Sequence, residues 1–68
     1  IFRDHKTTLQ ELTQATIGET PQYVLVGSSG PDHQKEFEIV VKVDNKDIAT
    51  AKGKSKKEGE QEAARVAL

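Results

Sequence analysis

The stretch Ala51-Lys52-Gly53-Lys54-Ser55-Lys56-Lys57-Glu58 decides the fold, because there an extended segment hands over to a helix. Ser55 is a good N-cap residue, and Glu58 stands three positions later, the spacing of a capping box. The spacing predicts a helix from Ser55 to Leu68, Ala-rich, with Gly59, Ala63, Val66 and Ala67 on one face. Four of the ten basic residues fall between positions 52 and 57. Free N–H groups at a helix start, with lysines around them, attract anions. On a chain of net charge −1, such a concentration points to one phosphate-rich partner. The ordinary alternative is a solubilising surface or a guard on an edge strand.

Upstream of this junction, Asp47 to Lys52 reads as a third, weak strand. Asp44-Asn45 marks a tight turn, although Lys46 replaces the Gly preferred after Asn. Lys35 to Val43 is the clearest strand, with Phe37, Ile39, Val41 and Val43 alternating with Glu36, Glu38, Val40 and Lys42. Gly27-Ser28-Ser29-Gly30-Pro31-Asp32-His33 has the composition of a loop. Before it, Gln22 to Val26 forms a first strand, with Tyr23 and Leu25 on one face and Val24 and Val26 on the other. Asp4 to about Ala15 is amphipathic, with Leu9 and Leu12 on one face, Thr8 and Ala15 able to join them, and Asp4 as cap. Gly18 and Pro21 end it. The order α-β-β-β-α predicts an α+β fold: a three-stranded antiparallel sheet with both helices on one face.

Sixty-eight residues make one domain, spanning 1–68, with a thin core: 34% of residues are hydrophobic and 31% charged. There is no Cys, hence no disulfide and no thiolate metal site, which suits a reducing cytoplasm. No stretch approaches the roughly 20 apolar residues that span a bilayer, so no membrane role is expected. The chain begins at Ile1, as a piece of a longer protein would. Near-neutral charge argues against nucleic-acid binding, but it hides an asymmetry. Lysines cluster at the start of the last helix, while Glu58, Glu60 and Glu62 lie farther along it.

Thr7, Gln10, Glu11 and Gln14 have i, i+3, i+4, i+7 spacing and form one polar helix stripe. Such side chains can exchange hydrogen bonds with ribose 2′-hydroxyls in a shallow RNA minor groove; the alternative is a solvated face. His33, after Gly30-Pro31-Asp32, could reach into a groove or be a plain loop residue. With His5 as the one other histidine and no ligand spacing, a metal site is not expected. A His33–Asp32 hydrolytic dyad lacks any nucleophile motif. Gly53-Lys54-Ser55 resembles the tail of a phosphate-binding loop, but Ile48 stands where that motif needs Gly.

These three segments together resemble the double-stranded RNA-binding domain, most closely the C-terminal one of bacterial ribonuclease III. The matching segments are Asp4 to Gln14, Gly30 to His33 and Gly53 to Glu58. The resemblance implies that Thr7, Gln10, Glu11 and Gln14 enter one minor groove. Pro31 (through its carbonyl), Asp32 and His33 would enter the next. Lys54, Lys56 and Lys57, with Ser55 nearby, would bridge the phosphates between. It also implies a monomeric domain that takes no cofactor or small-molecule substrate and cuts nothing. The longer parent would be a homodimeric, Mg²⁺-dependent endoribonuclease acting in RNA processing, including that of ribosomal RNA, in the cytoplasm. A protein–protein module on the same fold is the alternative, disfavoured by the lysine run and the Gln10/Glu11 pair. The family usually carries Gly at position 51 and Ala at position 59. Ala51 is therefore expected to make the approach to the last helix less free, and Gly59 to cost roughly 1 kcal/mol of helix stability.

Overall fold

The computed structural model describes residues 4–68; the first three positions of the expected domain lie outside the described residues. The elements follow the order α1 (His5–Ile17), β1 (Gln22–Ser29), β2 (Glu36–Val43), β3 (Lys46–Gly53) and α2 (Lys56–Ala67), with a 3-10 turn at Asp32–Gln34. The sheet is antiparallel with β2 in the centre. Leu9, Ile39, Val41, Ala63 and Ala64 form one buried cluster, so both helices cover the same sheet face, as the alternation of β2 requires.

Helix α1 starts where expected. The Thr7 N–H donates to Asp4 Oδ1 (3.2 Å) and the Thr7 hydroxyl to Asp4 Oδ2 (2.7 Å). It runs past Ala15 because nothing breaks it before Gly18, which takes a left-handed φ of 70° and donates its N–H to the Gln14 carbonyl. Its buried line is Leu9 and Thr13, not Leu9 and Leu12; Leu12 is 49% exposed, and Thr8 and Ala15 are exposed too. Residues four apart align better along a packed helix face than the predicted Leu pair, and the Thr13 hydroxyl is satisfied by the Gln10 carbonyl (3.2 Å).

Strand β1 is longer than predicted. Gly27, Ser28 and Ser29 pair with Glu38, Phe37 and Glu36 instead of looping out. The register slips at Val26, which has no partner, and this bulge reverses the alternation beyond it. The true loop begins at Gly30, whose φ is 93° and where a Cβ would lie 2.5 Å from the Gln34 carbonyl oxygen. The β2–β3 turn places Asp44 (φ 55°) and Asn45 (φ 62°) at its two left-handed positions. Lys46 lies after them, paired with Val43, so no Gly is needed there. A second bulge puts Ile48 out of register in β3.

Ser55 caps α2, accepting the Glu58 N–H (3.1 Å), while Glu58 Oε1 accepts the Lys54 N–H (3.3 Å). The packed face is Gly59, Ala63 and Ala64 with Ala67 half-buried; Val66, expected on that face, is 51% exposed because Ala67 takes the i+4 position. The strand-to-helix approach is made by Gly53 and Gly59: a Cβ on Gly53 would sit 2.3 Å from the Gly59 nitrogen. Ala51 packs against the core from within β3.

Candidate nucleic-acid interface

Strand pairing sets what meets what. Ser29 opposes Glu36 and Phe37 opposes Gly53, so the β1–β2 loop and the start of α2 share one end of the sheet. Between them lies an open cleft lined by Asp32, His33, Gln34, Lys35, Glu36, Phe37 and Lys54. Two of the three segments singled out in the sequence thus meet at one place. The third, α1, does not line this cleft.

Each candidate residue has a definite setting. Pro31 precedes the 3-10 turn, and its carbonyl accepts the Gln34 N–H (2.8 Å), leaving one lone pair for another donor. Asp32 and His33 are exposed on that turn. Asp32 faces the Lys35 ammonium at 3.8 Å, a solvated pair of little energetic weight. Among the described residues, no hydrogen bond or ion pair joins His33 to a carboxylate. Lys54, Lys56 and Lys57 are exposed, and among the described residues none is in an ion pair. Ser55 is engaged as the cap, which orients the first turn of α2 and leaves its early N–H groups turned outward.

On α1 the four candidates divide. Thr7 is held by Asp4, and the Gln14 amide donates to the Thr20 hydroxyl (2.6 Å). Gln10 and Glu11 are exposed, and no hydrogen bond engages their side chains among the described residues. The first turn of α1 is docked on α2. The His5 and Lys6 N–H groups donate to Gln61 Oε1 (2.8 and 3.4 Å), and the Gln61 amide donates to Asp4 Oδ1 (2.7 Å). Beside it the Lys6 ammonium lies 2.5 Å from Glu60 Oε1 and 4.9 Å above the Tyr23 ring.

This junction perturbs its ionisable groups. The hydrogen bond from Gln61, then those from Thr7, hold the Asp4 carboxyl down at about 2. Burial, then the charges of Glu60 and Asp4, push the Tyr23 phenol up to about 12, and its buried hydroxyl has no hydrogen-bond partner among the described residues. Farther along α2, the guanidinium of Arg65 donates to Glu62, which lowers Glu62 and raises Arg65.

Gln34, Lys35 and Phe37 in the cleft were not singled out from the sequence. Lys35 could have been, as the one cation beside Asp32 and His33. Gln61 carries no local signal, since its partners are 55 to 57 residues away. Among the described residues no group of three or more His, Asp or Glu could hold a metal ion. No described helix is long and apolar enough to cross a membrane.

Known proteins resemble this chain. The family model described as "Double-stranded RNA binding motif" matches residues 5–68. "Ribonuclease 3" of Sulfurovum sp. (strain NBC37-1) is 68% identical over 68 residues, covering all of this chain and 30% of that protein. The protein of the same name from Wolinella succinogenes is 66% identical, again over the whole chain and 29% of its own length. The structure of Dicer from Pichia stipitis superposes with a TM-score of 0.77 at 29% identity, over 96% of this chain and 31% of that one. The chain thus spans about 30% of the length of these ribonuclease relatives. With the helix-sheet architecture and this match in agreement, the chain belongs to the double-stranded RNA binding motif family.

Proposed function

We propose that the domain binds double-stranded RNA by shape, with the α1 stripe in one minor groove and the β1–β2 loop in the next. Lys54, Lys56 and Lys57 lie on the phosphates between them. A-form RNA offers side chains a wide, shallow minor groove lined with 2′-hydroxyls and a major groove too narrow to read. Recognition is then indifferent to sequence. The observation that carries this reading is the cleft where the Asp32–His33 turn and Lys54 face each other at one end of the sheet. It sets a polar loop tip beside a lysine-flanked helix start whose cap keeps its outward N–H groups free for anions. Glu11 repels phosphate but is a good acceptor for a 2′-hydroxyl.

In the longer protein, the domain holds duplex RNA against a separate Mg²⁺-dependent nuclease part, and the parent works as an endoribonuclease in RNA processing, ribosomal RNA included, in the cytoplasm. That parent pairs as a homodimer through its nuclease part. No step of cleavage is assigned to the residues of this domain. The domain itself acts as a monomer, without a small-molecule substrate.

The test is duplex binding by fluorescence anisotropy over a salt series. Lys57→Ala is expected to weaken binding to every duplex and to reduce the salt slope by about 1. Glu11→Ala is expected to weaken RNA binding less and to narrow the preference for RNA over DNA. If Lys57→Ala binds at low salt as tightly as the native chain, the role of that lysine is refuted.

A further inference from the structure

We infer that Gln61 is a positioning residue that fixes where the α1 stripe sits relative to the basic start of α2. This rests on the reading of α1 and α2 as two parts of one RNA-binding surface. The first N–H groups of a helix have no partner within the helix. In α1, Asp4 takes the N–H of Thr7, and those of His5 and Lys6 are taken by a side chain of the other helix, Gln61. The same amide returns a hydrogen bond to the cap, Asp4 Oδ1 at 2.7 Å. One side chain therefore closes the end of α1 and ties it to the second turn of α2. The Lys6–Glu60 pair at 2.5 Å and the Lys6 ammonium over Tyr23 brace the same point.

Position 61 is six residues past the Ser55 cap, about 9 Å along the helix axis. A rigid piece of α2 thus links the α1 anchor to Ser55, Lys56 and Lys57. Beyond the anchor, α1 is held to the core by Leu9 and Thr13, a narrow line of contact. Gln14 lies about 13 Å along α1 from His5, so a tilt of about 10° at a loosened anchor would move it by about 2 Å. That is enough to break a hydrogen bond to a 2′-hydroxyl. The lysines would keep their place, because they belong to α2 and its own cap. Gln61 thus controls RNA-over-DNA discrimination while leaving the phosphate contacts alone.

The test is Gln61→Met, which keeps the length of the side chain and removes its three hydrogen bonds. Affinities for duplex RNA and duplex DNA of the same sequence are measured across a salt series, with the folded fraction followed by circular dichroism. The expected result is a loss of about tenfold for RNA, the equivalent of one or two hydrogen bonds, with DNA affinity and the salt slope unchanged. A merely structural role would lower RNA and DNA affinity by one common factor, and that result overturns the inference, as does no change at all. Should Gln61→Met fail to fold, Gln61→Glu and its combination with Asp4→Asn replace it. Glu at 61 still accepts from His5 and Lys6 but repels Asp4, and Asn at 4 restores a donor. The double variant is expected to regain the discrimination that the single one loses; failure to regain it refutes the inference. The native chain is measured first. If it shows no preference for duplex RNA, the binding proposal itself fails, whatever Gln61 does.

Discussion

Gly59 shows how a single residue changes meaning between sequence and structure. In the sequence it is a helix interrupter that costs roughly 1 kcal/mol relative to Ala. In the fold, a Cβ at that position would lie 2.7 Å from Ile39 Cγ1, and Ile39 is 1% exposed in the centre of the core. The missing methyl makes room for Ile39. Overpacking a core costs typically 1–3 kcal/mol, so Gly59→Ala is expected to lower stability by about 1 kcal/mol despite its better propensity. Urea unfolding checks this, and a raised midpoint would sink it. The Ser55 cap was legible from residue type alone, and the lysines and His33 are exposed, as such residue types favour. Lys35 was legible as the cation beside Asp32 and His33; that Lys54 lines the same cleft was not, because the two come from separate parts of the chain.

At the scale of elements, the caps and turns decide. Asp4 closes α1, and its carboxyl is held at about 2 against an ordinary 3.8. A depressed pKa means that the unfolded chain binds the proton more readily. The stabilising contribution is therefore complete above about pH 4 and lost as the pH falls towards 2. Asp4→Asn is expected to flatten the acid limb of the stability curve in that window, leaving the smaller slope due to Glu62. Thermal melts from pH 2 to 5 would read this directly. At the β2–β3 turn both Asp44 and Asn45 hold positive φ. Asn45→Val is expected to cost about 1–2 kcal/mol, since a β-branched residue resists that conformation, while Asn45→Gly is neutral or stabilising. Equal urea midpoints for the two variants would refute the turn assignment. Strand existence was legible from alternation, but strand length was not. Gly27, Ser28 and Ser29 have loop composition and yet pair with β2, since a bulge at Val26 shifts the register.

At the scale of the molecule, the two helices cover one sheet face through a small core, and the Gln61 junction ties the start of α1 to α2. Duplex affinity is expected to fall with salt at a slope set by the phosphates contacted, with Lys54→Ala, Lys56→Ala and Lys57→Ala together reducing that slope by about 3. Substitutions on α1 would change affinity but leave the slope alone. A triple variant with the native slope would place the phosphate contacts elsewhere. The sequence by itself determined the order of elements, the antiparallel sheet with both helices on one face, the caps and the chemistry of the candidate surface. These follow from local periodicity, capping and residue type, which act within a few positions. Only the tertiary structure decided the two bulges, the Leu9–Thr13 line, the Ile39–Gly59 fit and the anchoring of α1 by Gln61. Each of those depends on atoms that packing and register bring together from distant parts of the chain, and no short window of residues encodes such a meeting.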